Sequence, residues 1–69
     1  MNNCKVRVNG NEMECVAGMG LLQLFVQLGM NPKLVAIEYN GEILHRQFWA
    51  DKLVVDGDVL EVVTIVGGG

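Results

Sequence analysis

The first sixteen residues contain two runs in which apolar and polar side chains alternate. The runs cover residues 4–8 and 12–15, and their two-residue period predicts two strands. An Asn-Gly pair at positions 9–10 separates them and tolerates the positive φ angles of a two-residue hairpin turn. This turn pairs Val6 with Met13 and brings the apolar residues of both strands onto one face. Turn and pattern therefore predict the same register.

The period changes between residues 20 and 29. Apolar residues recur there at three- and four-residue spacing: Leu21, Leu24, Phe25 and Leu28. This spacing predicts a short amphipathic helix. Gly29 suits the left-handed position after a helix, and Pro32 prevents the helix from continuing. No Ser, Thr or Asp stands at the start, where Gly20 is an acceptable cap.

The second half of the chain predicts further strands. Residues 35–39 alternate, with Ala36 and Glu38 on the polar face. A second Asn-Gly turn, at positions 40–41, precedes the short apolar pair at 43–44. Residues 45–52 predict one helical turn, anchored in the core by two aromatic residues, Phe48 and Trp49.

A run of β-branched residues predicts the final strand. It covers residues 59–66 and follows a turn at Asp56-Gly57-Asp58. A right-handed crossover through the helix lays this strand parallel to the first strand. We therefore expect an α+β, β-grasp (ubiquitin-like) roll, with a mixed sheet of four to five strands and one main helix. Residues 1–66 form this single domain, and residues 67–69 form a flexible glycine tail.

Composition excludes several classes of function. A chain of 69 residues with 51% apolar content buries one modest core and encloses no deep cleft. A net charge of −3, with five scattered Lys and Arg residues, argues against nucleic-acid binding. The N-terminus shows no leader pattern and the apolar runs are too short for a bilayer, so we expect a cytoplasmic protein without a membrane partner.

The side chains point to no catalytic or metal centre. The chain shows no nucleophile–base pair or metal-ligand cluster, so we expect neither an enzyme nor a bound cofactor. Cys4 and Cys15 fall on the apolar face of the hairpin, where cysteines behave as inert core residues. Their alternative role is redox or sulfur chemistry of their own. His45 stands without partners for a metal site or a catalytic pair and is expected on the surface.

The glycines that follow the final strand are the most informative feature of the sequence. Gly67, Gly68 and Gly69 lack a Cβ and can enter a channel too narrow for side chains. Three extended residues reach about 10 Å beyond the last paired position. These properties suit a chain terminus that is itself a substrate. The alternative is a terminus that is merely frayed.

The predicted chemistry concerns the carboxylate of Gly69, with Gly68 beside it. A terminal carboxyl has a pKa of about 3.5 and is an anion at neutral pH, which makes it a poor electrophile. Adenylation by ATP activates such a group, and a sulfur donor can then displace AMP and leave a thiocarboxylate. The chain has no phosphate-binding loop. ATP and the sulfur donor are therefore expected to be used by partner enzymes.

An exposed patch is predicted beside the tail. Glu61 marks one face of the final strand as solvated, and Val63 and Ile65 share that face. With Ala36 of the neighbouring strand they predict a docking patch that leads through Gly67 to the chain end. The alternative is a set of scattered surface apolar residues, which are normal in folded proteins.

The sequence resembles the ThiS family, the sulfur carriers of thiamin thiazole synthesis, over essentially its whole length. The resemblance rests on Val8-Asn9-Gly10, Leu21-Leu22, Val35 to Ile43, Asp56-Gly57-Asp58, Glu61-Val62-Val63 and Val66 to Gly69. It implies that a ThiF-like enzyme adenylates Gly69 and that a cysteine-derived persulfide supplies sulfur. It also implies that the thiocarboxylate delivers this sulfur to a ThiG-like thiazole synthase.

Three alternative functions remain open at this point. The MoaD family of molybdopterin synthesis shares the fold and the tail, although it usually approaches the diglycine through a proline, where this chain has Thr64-Ile65-Val66. A non-covalent β-grasp interaction module would have no use for the glycines. A protein-modifying tag would form isopeptide bonds through the same tail.

Overall fold

The computed structural model describes residues 3–65. Its strands and helix, in chain order, are β1 (Asn3–Val8), β2 (Asn11–Val16), α1 (Leu21–Leu28), β3 (Val35–Tyr39), β4 (Glu42–Ile43) and β5 (Val59–Thr64). Two 3-10 turns, Pro32–Leu34 and Arg46–Asp51, lie in the connections. The final strand was predicted to reach Val66, which was wrong, because β5 ends at Thr64 and Ile65 already lies outside it. The predicted domain boundary at residue 66 lies outside the described residues and stays a prediction.

The strands form one mixed sheet in the order β2-β1-β5-β3-β4. The β1–β2 hairpin has the predicted register, with Val6 opposite Met13. Strand β5 lies parallel to β1 and antiparallel to β3, with Ala36 opposite Val63. A central final strand beside a parallel first strand, with one helix, is the β-grasp arrangement that the order of elements predicted.

Helix α1 covers one face of the sheet. Leu21, Leu24 and Phe25 are fully buried and meet the apolar residues of β1, β3 and β5. The start of the helix is stabilised by Gln23, whose Oε1 accepts a hydrogen bond from the Gly20 N–H at 2.9 Å. Gly29 ends the helix at φ 71°, in the left-handed region that glycine enters at low cost.

The segment between β4 and β5 contains the predicted helical turn, as the 3-10 turn Arg46–Asp51. Trp49 is buried against Phe25 with 5.2 Å between ring centroids, and its indole N–H donates to the Leu44 carbonyl. Phe48, in contrast, is 52% exposed. The prediction that it anchors the core was wrong, because neighbouring residues on a 3-10 turn point about 120° apart and only one of them faces inward.

The asparagine side chains of both Asn-Gly turns form hydrogen bonds with β5, the central strand of the sheet. Asn9 has φ 52°, and its amide donates to the Val62 carbonyl (3.1 Å) and accepts from the Val62 N–H (2.7 Å). Asn40 has φ 53°, and its side-chain oxygen accepts from the Val59 N–H at 2.8 Å. Asparagine tolerates the positive φ angle and also supplies groups that imitate a peptide unit. These two residues therefore fix β5 from both sides.

Candidate functional site

The face of the sheet opposite α1, here called the outer face, is exposed to solvent and carries the candidate site. Every second residue of each long strand points to it, and its two halves differ. The half built from β1 and β2 is charged, with Lys5 and Arg7 placed opposite Glu14 and Glu12. The half built from β3, β4 and β5 carries apolar side chains, and it is the half from which the chain leaves β5.

Three of the predicted docking residues lie within residues 3–65, and they come together on the outer face. Ala36 and Val63 are directly opposite each other across β3 and β5, and Val63 is 60% exposed. Ile65 follows the strand, is 47% exposed, and donates its backbone N–H to the Leu34 carbonyl at 2.7 Å. The apolar residues thus lie beside the end of β5, the last described strand.

The predicted tail residues Gly67, Gly68 and Gly69 lie outside the described residues, so their part in the site stays a prediction. The last described point on the path towards them is the bond between Ile65 and Leu34. Leu34 itself is 53% exposed. It extends the apolar surface and was missed by sequence reasoning, because its position beside Ile65 depends on the pairing of β3 with β5.

A shallow depression of about 190 Å³ occupies the apolar half of the outer face. The residues that line it are Ala36, Ile37, Glu38, Ile43, Glu61 and Val63. Ile43 is 70% exposed and lies opposite Glu38, so it borders the depression from β4. The depression is therefore apolar at its sides and acidic across its middle.

The turn before β5 is held by a buried carboxylate. Asp58 is only 5% exposed and accepts hydrogen bonds from the Tyr39 hydroxyl, the Asn40 amide (3.0 Å) and the Val55 N–H (2.8 Å). Burial alone would raise the pKa of Asp58, but these bonds and the charge of Lys52 lower it below its ordinary value. Burial and the bond to Asp58 raise the pKa of Tyr39 above its usual range, which keeps its hydroxyl a donor.

The two cysteines lie in the core, as predicted. Their Sγ atoms are 2.8 Å apart, and the residues are 2% and 5% exposed. Burial, together with the contact to Cys4, raises the pKa of Cys15 to about 12. A raised pKa disfavours the thiolate, which is the nucleophilic form of cysteine. Both thiols are buried, as core residues are.

The described residues hold neither a metal centre nor a membrane-spanning helix. Between residues 3 and 65, no three His, Cys, Asp or Glu side chains come close enough together to ligate an ion. In that same part of the chain, no helix combines the length and the apolar character needed to cross a membrane.

Fold and outer face together define a β-grasp protein whose exposed apolar patch lies beside the end of β5. Residues 6–69 match the model of the ThiS family, and the chain belongs to that family. It is 31% identical over 65 residues to the sulfur carrier protein ThiS of Escherichia coli. This match covers 94% of the present chain and 98% of that protein.

Two further similarities place the chain among thiamin biosynthesis proteins. A crystal structure of the thiamine biosynthesis protein ThiS from Geobacter metallireducens superposes with a TM-score of 0.80 at 29% identity, covering 94% of this chain and 99% of the other. The thiazole synthase of Paramagnetospirillum magneticum is 40% identical over 65 residues. This match covers 94% of the present chain but only 20% of the synthase.

Proposed function

We propose that this chain is a sulfur carrier of thiamin biosynthesis and acts as a co-substrate of partner enzymes. The carboxylate of Gly69 is adenylated by a ThiF-like enzyme, converted to a thiocarboxylate by a persulfide donor, and then delivers sulfur to a thiazole synthase. The observation that carries this proposal is the family match, which extends through residue 69 and so includes the glycines.

The chemistry of each step supports this order. The carboxylate must first lose its anionic character, and adenylation supplies AMP as a leaving group. The persulfide sulfur attacks the acyl carbon and AMP departs. Reductive cleavage of the resulting acyl disulfide by a thiol of the sulfur-transfer system releases the thiocarboxylate. Glycine at positions 67–69 lets the chain end approach each active site without side-chain bulk.

The partnership with a thiazole synthase is supported by the relative from Paramagnetospirillum magneticum. That protein is named for the synthase activity and contains a stretch 40% identical to the present chain. Joining two binding partners in one chain raises their effective concentration to the millimolar range. Fusion of this kind is advantageous when the two parts act together. We therefore propose that the present chain also acts with a thiazole synthase.

Intact-protein mass spectrometry tests the proposed carrier function. The protein is incubated with ATP, a ThiF-like adenylating enzyme and a persulfide donor. We expect a gain of about 16 Da, since sulfur replaces one oxygen of a carboxyl that is otherwise an inert anion, and fragmentation should assign it to Gly69. An unchanged mass, with an enzyme that charges another carrier in parallel, would contradict the proposal.

The docking role of the outer face gives a second prediction. Val63→Asp places a charge in the apolar patch beside β3, and we expect it to raise the Kd for the adenylating enzyme about tenfold or more. Val16→Asp is the matched control, because Val16 is also an exposed valine of the outer face, but on β2. Isothermal titration calorimetry compares the two variants. If both variants bind the adenylating enzyme equally weakly, the apolar patch is not part of the docking surface.

A further inference from the structure

Two glutamates face each other in the middle of the apolar half of the outer face. Glu38 of β3 and Glu61 of β5 are directly opposite in the antiparallel pair, and both are exposed. Side chains at such positions have Cβ atoms about 5 Å apart, and like charges placed there destabilise a sheet. The pair thus costs folding free energy in the isolated protein.

The described strands supply no cation opposite this pair. Lys5 and Arg7 lie on β1, opposite glutamates of β2. Arg46 donates to the Val35 carbonyl at 2.9 Å and stacks on Trp49, while Lys52 lies over the Tyr39 ring. Arg7 also lies beside Val59, two residues before Glu61, and the other outer-face neighbours of the two carboxylates are the apolar residues of the depression.

We propose that Glu38 and Glu61 together receive one arginine or lysine side chain of the thiazole synthase. The inference rests on the proposed function and adds the residues that determine recognition. The aliphatic stem of the incoming side chain packs against Ile43 and Val63, as the long stems of basic residues do on apolar surfaces. Its charged end then lies between the two carboxylates, where charge-assisted hydrogen bonds form.

The arrangement explains why two like charges occupy a docking surface. An isolated carboxylate at an interface leaves a charge to be desolvated, whereas a cation between two carboxylates relieves their repulsion as it binds. The acidic middle of the depression also repels the phosphates of nucleic acids and of anionic lipids. A basic side chain on a protein is therefore the occupant that fits both the charge and the apolar walls.

The test measures binding of the full chain to the thiazole synthase of the same organism by titration calorimetry, at low and high salt. We expect Glu38→Gln/Glu61→Gln to raise the Kd about tenfold and to flatten its dependence on salt. Its melting temperature should equal or exceed that of the wild type, since the repulsion is gone. Glu12→Gln/Glu14→Gln is the matched control: it removes the same charge from the other half of the outer face and should alter the Kd about twofold at most.

The outcomes separate this inference from the proposed function. If the wild-type chain fails to bind the synthase, the proposed partnership is wrong and the inference falls with it. If the wild type binds and the two double variants weaken binding equally, only the inference is overturned. A tenfold loss confined to Glu38→Gln/Glu61→Gln, with an unreduced melting temperature, supports it.

Discussion

Deletion of Gly69 is expected to lower the rate of thiocarboxylate formation at least a hundredfold. The variant still ends in two glycines, but its carboxylate lies about 3.5 Å short of the natural position. A misplacement of about 1 Å is enough to cost a factor of a hundred in a reaction that depends on alignment. Intact-protein mass spectrometry over a time course, with the adenylating enzyme and a persulfide donor, measures the rate of the mass gain.

Deletion of Asn2 is the control for this experiment, since it removes one residue from the opposite terminus. Both truncated proteins should melt at the wild-type temperature, because neither change touches the pairing of β5 with β1 and β3. If the protein without Gly69 forms the thiocarboxylate at the wild-type rate, the reaction does not depend on the exact position of the terminal carboxylate. The proposed role of the third glycine would then be wrong.

Deletion of Gly69 separates a covalent carrier from a non-covalent module, and the products formed afterwards separate the remaining alternatives. A non-covalent interaction module should bind its partners equally well with and without Gly69. A MoaD-type carrier would be charged in the same way but would deliver sulfur to a molybdopterin synthase. A protein-modifying tag would appear as conjugates on lysines of other proteins. The acceptor of the sulfur, once charging is established, therefore decides between the two carrier pathways.

Local sequence was sufficient to predict the elements that depend on neighbouring residues. The hairpin register followed from one Asn-Gly turn and a two-residue period, and β3 was predicted with the bounds it has. The helix was predicted from its apolar spacing, with Gly20 and Gly29 at its ends. In each case the turn chemistry and the hydrophobic pattern favoured the same structure.

Features that depend on contacts distant in sequence were missed. Glu38 was assigned to the strand face of Ala36 and Glu61 to a solvated face of the final strand, but only the register of β3 with β5 shows that they are opposite each other. Asn9 was assigned as a turn residue, while its side-chain bonds to Val62 span 53 positions. Asp58 also belonged to a predicted turn, while its buried hydrogen bond with Tyr39 of β3 spans 19 positions.

Asp58→Ala is expected to cause the largest loss of stability. The substitution leaves three donors without their acceptor: the buried hydroxyl of Tyr39, and the Asn40 amide and Val55 N–H, whose bonds to Asp58 are partly buried. We expect a loss of about 3–5 kcal/mol in the free energy of unfolding. A domain of this size has a total of about that amount, so the variant should be largely unfolded without denaturant. Far-ultraviolet circular dichroism measures the folded fraction.

Asp56→Ala is the matched control, since it removes the same side chain two residues earlier in the same turn. Asp56 is exposed and accepts one hydrogen bond, from the Lys5 N–H at 2.8 Å. Its loss should cost about 1 kcal/mol or less. Comparable unfolding of the two variants would show that the turn as a whole, rather than the buried carboxylate, determines stability.

The lowered pKa of Asp58 also predicts how stability depends on pH. A carboxyl whose pKa is lower in the folded state stabilises the protein above its unfolded-state pKa, near 3.8, and this contribution is lost as the pH falls through the folded-state value. Asp58→Asn keeps one carbonyl acceptor and the side-chain volume, so it should remain folded with a loss of about 2 kcal/mol. It does not titrate.

Urea unfolding of wild type and Asp58→Asn, followed by the fluorescence of buried Trp49, tests this pH dependence. Every other acidic group titrates in both proteins, so the difference between them isolates Asp58. We expect the difference in unfolding free energy to be constant above about pH 5 and to shrink as the pH falls below about 4. A difference that stays constant or widens in acid would mean that folding does not lower the pKa of Asp58, and that its hydrogen bonds do not favour the ionised form.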